Sequence, residues 1–163
     1  MKPWTGVIVY TVLIYASLPF SRGWQQFLRT QLGSDFGLSI NLLLFGAGFV
    51  AIFWIIKKTT TIYLLLSIIM LGTLFFFVTQ MELPSERIHF LQYGVLGYLI
   101  AKTLKPRSLG IAGFVLVVGL GGLIGLGDEL IQWVLPSRVF DWWDVSYNII
   151  GTTIGATLFQ FLK

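Results

Sequence analysis

Long runs of apolar residues constrain the fold of this chain more than any other feature. Only 11 basic and 7 acidic residues occur among its 163 residues, and 56% of the chain is hydrophobic. A soluble domain typically has about a quarter of its residues charged and lacks the interior volume to bury so much apolar surface. We therefore expect an integral membrane protein whose surplus apolar surface faces lipid.

The apolar runs predict an all-α membrane protein, a compact bundle of about six transmembrane helices with short loops. Six such helices leave no room for a soluble domain, so residues 1–163 are expected to form a single polytopic membrane domain. The predicted spans are 4–20, 38–56, 60–81, 88–101, 109–126 and 145–162.

The segment between spans one and two has its own amphipathic pattern. Trp24, Phe27, Leu28 and Leu32 recur at helical spacing, while glutamines and arginines lie mostly elsewhere. This pattern predicts a short helix lying in the membrane interface. Such a helix is either a lid or a connecting segment whose aromatic rings enter the headgroup region.

Lysine and arginine are distributed unevenly between the two sides of the six-span arrangement. Seven fall on the side of the termini and four on the other, so the positive-inside rule places both termini in the cytoplasm. The acidic residues all fall in or beside the outer connections. The net charge of +4 therefore indicates loops at a membrane surface, and without a basic stripe we expect no nucleic-acid partner.

Polar residues interrupt the apolar pattern between spans five and six, over residues 127–151. Glu129 and Gln132 share one helical face, which continues inward as Gly125 and Gly122. The next span repeats this design with a 3-4-3-4 spacing of polar residues that ends in glycines: Asp141, Asp144, Asn148, Gly151 and Gly155. Since glycine faces let helices approach closely in lipid, we expect the two glycine stripes to pack together and assemble the polar cluster.

The start of span four brings a second set of polar residues to the same side. His89, Tyr93 and Gly97 lie at spacing four along one face, and His89 is the single histidine of the chain. Imidazole beside carboxylates can act as a general acid, a general base or a cation. Arg138, in the turn before span six, is the nearest guanidinium that could compensate the acids.

In these residues the chain resembles the VanZ-like family of bacterial membrane proteins. The resemblance covers about 86–156, the expected VanZ-like core, and implies a multi-pass protein of the bacterial cell membrane. The family takes its name from a protein linked to low-level resistance to teicoplanin, a lipid-bearing glycopeptide that acts on cell-wall precursors outside the membrane. The matching positions are His89, Phe90, Glu129, Gln132, Pro136, Arg138, Asp141, Asp144, Asn148, Gly151 and Gly155.

Simpler roles explain part of the same pattern. The start of a helix also favours acids at the positions of Asp141 and Asp144. One would cap free backbone amides, and the other would interact favourably with the positive end of the helix dipole. For Glu129, the alternative to a functional role is a structural salt bridge to Arg138. For His89, the alternative to a functional role is a hydrogen bond to a neighbouring residue at the membrane interface.

Our first hypothesis is a protein that binds or modifies an amphiphilic cell-envelope molecule at the outer leaflet. Its partner would be a membrane lipid or a lipid-linked cell-wall intermediate, and the resemblance to the VanZ-like family implies a link to teicoplanin-type antibiotic resistance. Arg138 would hold an anionic group, Tyr93 and His89 would donate hydrogen bonds, and the acids would bind hydroxyl or amine groups. The expected binding residues are Tyr93, Gln132, Arg138, Asp141 and Asn148.

The second hypothesis is an intramembrane enzyme acting on a lipid-linked ester or phosphate, with His89, Glu129 and Asp144 as catalytic residues. A divalent ion on Asp141, Asp144 and Asn148 is conceivable because their ligands are oxygens. However, without cysteine or a histidine-rich motif no metal site is assigned, and the cofactor and enzyme status stay open. A proton-coupled transporter ranks third because polar residues are lacking at mid-depth elsewhere.

Cysteine labelling tests the orientation. The chain has no native cysteine, so single Ser137→Cys and Ser108→Cys variants carry one reactive thiol each. A membrane-impermeant maleimide added outside is expected to label Ser137→Cys only. Labelling of Ser108→Cys alone would reverse the orientation.

Overall fold

The computed structural model describes residues 3–57, 61–81, 84, 86–105, 110–136 and 138–162, which form helices joined by short turns. The helices are α1 (Thr5–Leu32), α2 (Phe36–Ile56), α3 (Thr61–Gln80), α4 (Ile88–Leu104), α5 (Gly110–Val134) and α6 (Trp142–Leu162), and a 3-10 turn, Gly33–Asp35, joins α1 to α2. Some residues that enter the predicted spans, the charge counts or the labelling test lie outside the described ranges: Lys2, Lys58, Thr60, Glu82, Arg107, Ser108, Leu109, Ser137 and Lys163.

Two of the described segments, Thr5–Ile56 and Gly110–Val134, are long and apolar enough to cross a membrane. A shorter apolar helix covers Leu64–Val78. Length and hydropathy thus support fewer spans than the six that the sequence predicts. The first segment has 52 residues, and it is interrupted at Gly33, whose φ of 54° lies in the left-handed region that favours glycine. The fold is all-helical in the described residues, with two candidate membrane-spanning segments.

Helix α1 corrects the expectation of a separate interfacial helix. Residues 24–32 are helical, but they continue α1 without a break through Pro19. Proline removes one backbone donor, a local loss that tertiary contacts on both sides of it can offset. The buried face of Val7, Ile14 and Leu18 continues beyond Pro19 as Ser21, whose hydroxyl accepts a hydrogen bond from Arg138. Packing along one face therefore keeps the helix whole.

Hydrogen bonds between helices fix the direction of α1. The Thr103 hydroxyl donates to the Pro3 carbonyl at 3.1 Å, near the end of α4. The Tyr15 hydroxyl donates to the Ile124 carbonyl of α5 at 2.7 Å. Helix α1 thus runs antiparallel to α4 and parallel to α5. Its last turns reach the end of the bundle where α4 begins and α5 ends, which we call the polar end.

The closest backbone approach joins α4 and α6. A Cβ atom added to Gly97 would meet the Thr152 carbonyl, and one added to Gly155 would meet the Gly94 carbonyl. A Cβ atom on Gly151 would lie 3.0 Å from the Tyr93 Cβ. The small residues of α6 therefore face α4, where they let the two backbones touch.

The glycines of α5 do not meet those of α6, so the expected pairing of the two glycine stripes is wrong. An added Cβ on Gly125 would lie 2.7 Å from the Asn148 Cβ, and one on Gly122 would lie 3.2 Å from Ile149. The reason is that α6 packs against α4 and α5 at once. Its glycine face can touch only one of them, and its Asn148 and Thr152 face is turned to α5.

We expect Gly155→Ala to destabilise the protein by about 1–3 kcal/mol, because the added methyl group overpacks the α4–α6 contact. Gly119→Ala is the matched control, since an added Cβ there meets nothing within 4 Å. The measurement is thermal unfolding in detergent micelles. Equal stability of the two variants would contradict this account of the packing.

Candidate functional site

A cleft of about 610 Å³ opens at the polar end of the bundle. Its walls come from the last turns of α1, the start of α4, the end of α5 and the turn into α6. We call it the polar cleft, and it is lined by Arg22, Gln25, Gln26, Arg29, Glu86, His89, Gln132, Arg138, Val139, Asp141 and Asp144.

His89 lies in the wall of the polar cleft with both ring nitrogens near polar atoms. Its Nδ1 is 2.8 Å from the Asn148 Oδ1, and its Nε2 is 3.9 Å from the Asp144 Oδ2. The Asn148 oxygen can only accept, and its amide nitrogen donates to the Gly125 carbonyl at 3.5 Å. This assigns the proton to Nδ1 of the ring. Nε2 then carries the lone pair of a neutral imidazole, or a second proton that faces Asp144.

Glu129 is fully buried behind the cleft wall and does not contact His89 through a hydrogen bond. One carboxylate oxygen accepts a hydrogen bond from the Gln132 amide at 2.8 Å, and the other accepts from the Asp141 backbone N–H at 3.2 Å. The side chain thereby ties the end of α5 to the start of α6. Its alternative role, a salt bridge to Arg138, does not occur among the described residues, and Arg138 donates to the Ser21 hydroxyl.

The two aspartates of α6 have different surroundings. Asp141 precedes α6 and its carboxylate accepts from the Trp143 N–H at 2.8 Å, so the predicted capping role is confirmed for this residue. Asp144 lies in the first turn, faces His89 and has a side chain 18% exposed. Asp141 therefore caps the helix, Asp144 lies where the helix dipole favours an acid, and both also line the cleft.

Asp128 belongs to the same polar cluster, although the sequence pattern did not single it out. Its side chain is almost fully buried, and it accepts hydrogen bonds from the Tyr93 hydroxyl at 3.0 Å and the Gln132 amide at 3.4 Å. Tyr93 is fully buried, so its hydroxyl serves this internal bond behind the cleft wall. The available signal was the i, i+4 spacing of Asp128 and Gln132 on an otherwise apolar helix.

A family model described as VanZ/LLP1 matches residues 6–163. The chain belongs to the VanZ/LLP1 family. The match extends well beyond the 86–156 core expected from motifs and includes all six helices from α1 onward. Comparisons with the curated proteins and with the solved structures each found no match.

The last turns of α1 are a part of this VanZ/LLP1 site that sequence reasoning missed. Arg22, Gln25, Gln26 and Arg29 line the cleft, opposite the acids of α6. Their i, i+3, i+4, i+7 spacing is a helical polar stripe that the sequence already contains. The amphipathic pattern predicts only an interfacial helix here, because nothing in the sequence shows that α1 continues to the site.

The described acids and histidine do not converge as metal ligands. Among these residues, no group of three or more histidine, aspartate or glutamate side chains is arranged to hold a metal ion. Of the three oxygen donors considered above, Asn148 binds His89 and Asp141 caps α6. The functional groups that line the VanZ/LLP1 cleft thus include an imidazole, carboxylates and guanidinium groups.

We expect Glu129→Gln to lower the stability of the protein by about 1–3 kcal/mol. The buried carboxylate accepts from two donors, and glutamine would set its own NH₂ group against one of them. Unfolding in detergent micelles measures the effect. Asp35→Asn, at an exposed position, is expected to change stability by less than about 0.5 kcal/mol. A Glu129→Gln protein as stable as this control would show that the two hydrogen bonds do not hold the turn.

Proposed function

We propose that this VanZ/LLP1 chain is a six-span protein of the bacterial cell membrane that binds or modifies an amphiphilic cell-envelope molecule. The observation that carries the proposal is the polar cleft itself, which opens at one end of a bundle of apolar helices. An amphiphile fits such a site with its headgroup in the cleft and its tail along the helices.

The outward faces of the helices support the membrane-spanning part of the proposal. Large apolar side chains are exposed on several helices, among them Leu13, Phe49, Ile69, Ile111 and Leu123. Exposed apolar surface on this scale is costly in water and stable in lipid. Helices of 17–28 residues have lengths suited to crossing the bilayer.

The proposed orientation has the termini in the cytoplasm and the polar cleft on the extracytoplasmic side. It is supported by the excess of lysine and arginine on the side of the six-span arrangement that carries the termini. A cleft on that side is open to lipid-linked cell-wall intermediates and outer-leaflet headgroups. The possible link to teicoplanin-type resistance rests on the family resemblance alone.

The side chains of the cleft suit recognition of a headgroup that carries more than one kind of polar group. Arg138 is proposed to hold an anionic group, while Asp141 and Gln132 bind hydroxyl or amine groups. Glu129, Asn148 and Tyr93 hold the wall in place from behind through buried hydrogen bonds.

The alternative is an enzyme that uses the same cleft for acid–base chemistry on a lipid-linked ester or phosphate. The observation that favours it is the pair formed by His89 Nε2 and Asp144. With its Nδ1 proton held by Asn148, the ring exchanges a proton through Nε2, and Asp144 stabilises the imidazolium. Glu129 is assigned to positioning in this scheme because both of its oxygens accept hydrogen bonds.

Mass spectrometry separates the two functions. The purified protein is incubated with lipid-linked cell-wall intermediates and phospholipids, and the molecular masses of the bound and free molecules are measured. An unchanged amphiphile that copurifies supports binding, whereas a changed mass supports the enzyme. For the enzyme, His89→Gln and Asp144→Asn are expected to lower turnover by roughly 10²–10⁴-fold while the amphiphile is still bound.

Lys102→Gln is the control, since Lys102 is exposed in the last turn of α4, at the opposite end of that helix from His89. It is expected to retain both binding and turnover. If no amphiphile is retained or altered by the wild-type protein, the proposed function is wrong.

A further inference from the structure

The last turns of α1 present a positive stripe to the polar cleft. Arg22 and Arg29 are two turns apart on one face, with Gln25 and Gln26 between them, and all four line the cleft. The two arginines are separated by about 10 Å along the helix axis. Helix α1 contains no acidic residue, so its own sequence does not neutralise the stripe.

Arg138 adds a third guanidinium to the same wall. It comes from the turn before α6, and its Nη2 donates to the hydroxyl of Ser21, the residue next to Arg22. This hydrogen bond holds Arg138 beside Arg22, the first residue of the positive stripe. Within the described part of the chain, no ion pair joins Arg22, Arg29 or Arg138 to a carboxylate.

Three guanidinium groups around one cavity match a particular ligand chemistry. A carboxylate has two oxygens and one charge, which a single bidentate guanidinium satisfies. A phosphate group has more acceptor oxygens and up to two negative charges, so it accommodates several guanidinium forks at once. Three acids, Glu86, Asp141 and Asp144, line the cleft as well and are left for other parts of the headgroup.

We propose that Arg22, Arg29 and Arg138 form a phosphate subsite, so that the molecule held in the polar cleft is a phosphate-bearing amphiphile. This inference rests on the proposed function and specifies its ligand class. It also assigns a role to the outer part of α1, which supplies two of the three cations.

Calorimetric titration of the full chain in detergent micelles tests the subsite with three probes. Dioctanoyl phosphatidic acid carries phosphate on a lipid, dioctanoylglycerol has the same acyl chains without phosphate, and inorganic pyrophosphate has phosphate without a lipid. We expect phosphatidic acid to bind at least about tenfold more tightly than dioctanoylglycerol. Pyrophosphate binding as tight as that of phosphatidic acid would support the subsite with a soluble phosphate as its source.

Single substitutions then test whether Arg22 and Arg29 contribute to the affinity for phosphatidic acid. Arg22→Gln and Arg29→Gln keep a polar side chain at exposed positions and remove one charge each, and each is expected to weaken phosphatidic acid binding about tenfold. Lys102→Gln, which removes a positive charge far from the cleft, is expected to bind like the wild type. Since all three positions are exposed, the variants are expected to unfold at the same temperature as the wild type, which makes the comparison one of binding.

Two results would overturn the inference. One is equal binding of phosphatidic acid and dioctanoylglycerol, and the other is an equal affinity of the arginine variants and Lys102→Gln. If either occurs while a phosphate-free amphiphile copurifies with the wild type, the inference fails and the proposed function stands. If no amphiphile binds at all, both fail together.

Discussion

The close contact between α4 and α6 is the constraint on which the rest of the structure depends. Glycines at positions 94, 97, 151 and 155 remove the side chains that would keep the two backbones apart. Close packing of small residues is the main attraction available to helices in lipid. Because the backbones touch, His89 at the start of α4 comes within hydrogen-bond distance of Asn148 and faces Asp144.

Behind this contact lies a layer of buried polar groups that gives the cleft a fixed wall. Gln132 donates to both Asp128 and Glu129, Tyr93 donates to Asp128, and Glu129 accepts from the backbone of the turn into α6. Unsatisfied polar groups are costly at such depth, so a network of this kind holds its members in one arrangement. Of this supporting layer, Gln132 also lines the cleft.

Helix α1 closes the site from the other side, and its role could not be predicted from its own residues. The amphipathic pattern of residues 24–32 indicates a helix, and the structure has one. Whether that helix lies flat at an interface or continues α1 past Pro19 depends on contacts with Arg138 and the cleft, which are distant in sequence. Local pattern predicts that a segment is helical, whereas long-range contacts decide where the helix points.

By itself the sequence determined the helical class, the approximate limits of the helices after α1, the capping of α6 by Asp141 and the resemblance to the family. Each of these depends on residues close together in the chain, where periodicity of 3.6 residues and capping chemistry operate. Only the tertiary structure decided that the glycines of α6 meet α4 instead of α5, that Glu129 binds the turn instead of Arg138, and that Asp128 joins the cluster. The physical reason is that a helix in a bundle has several neighbours, and its sequence specifies its faces without specifying which neighbour each face meets.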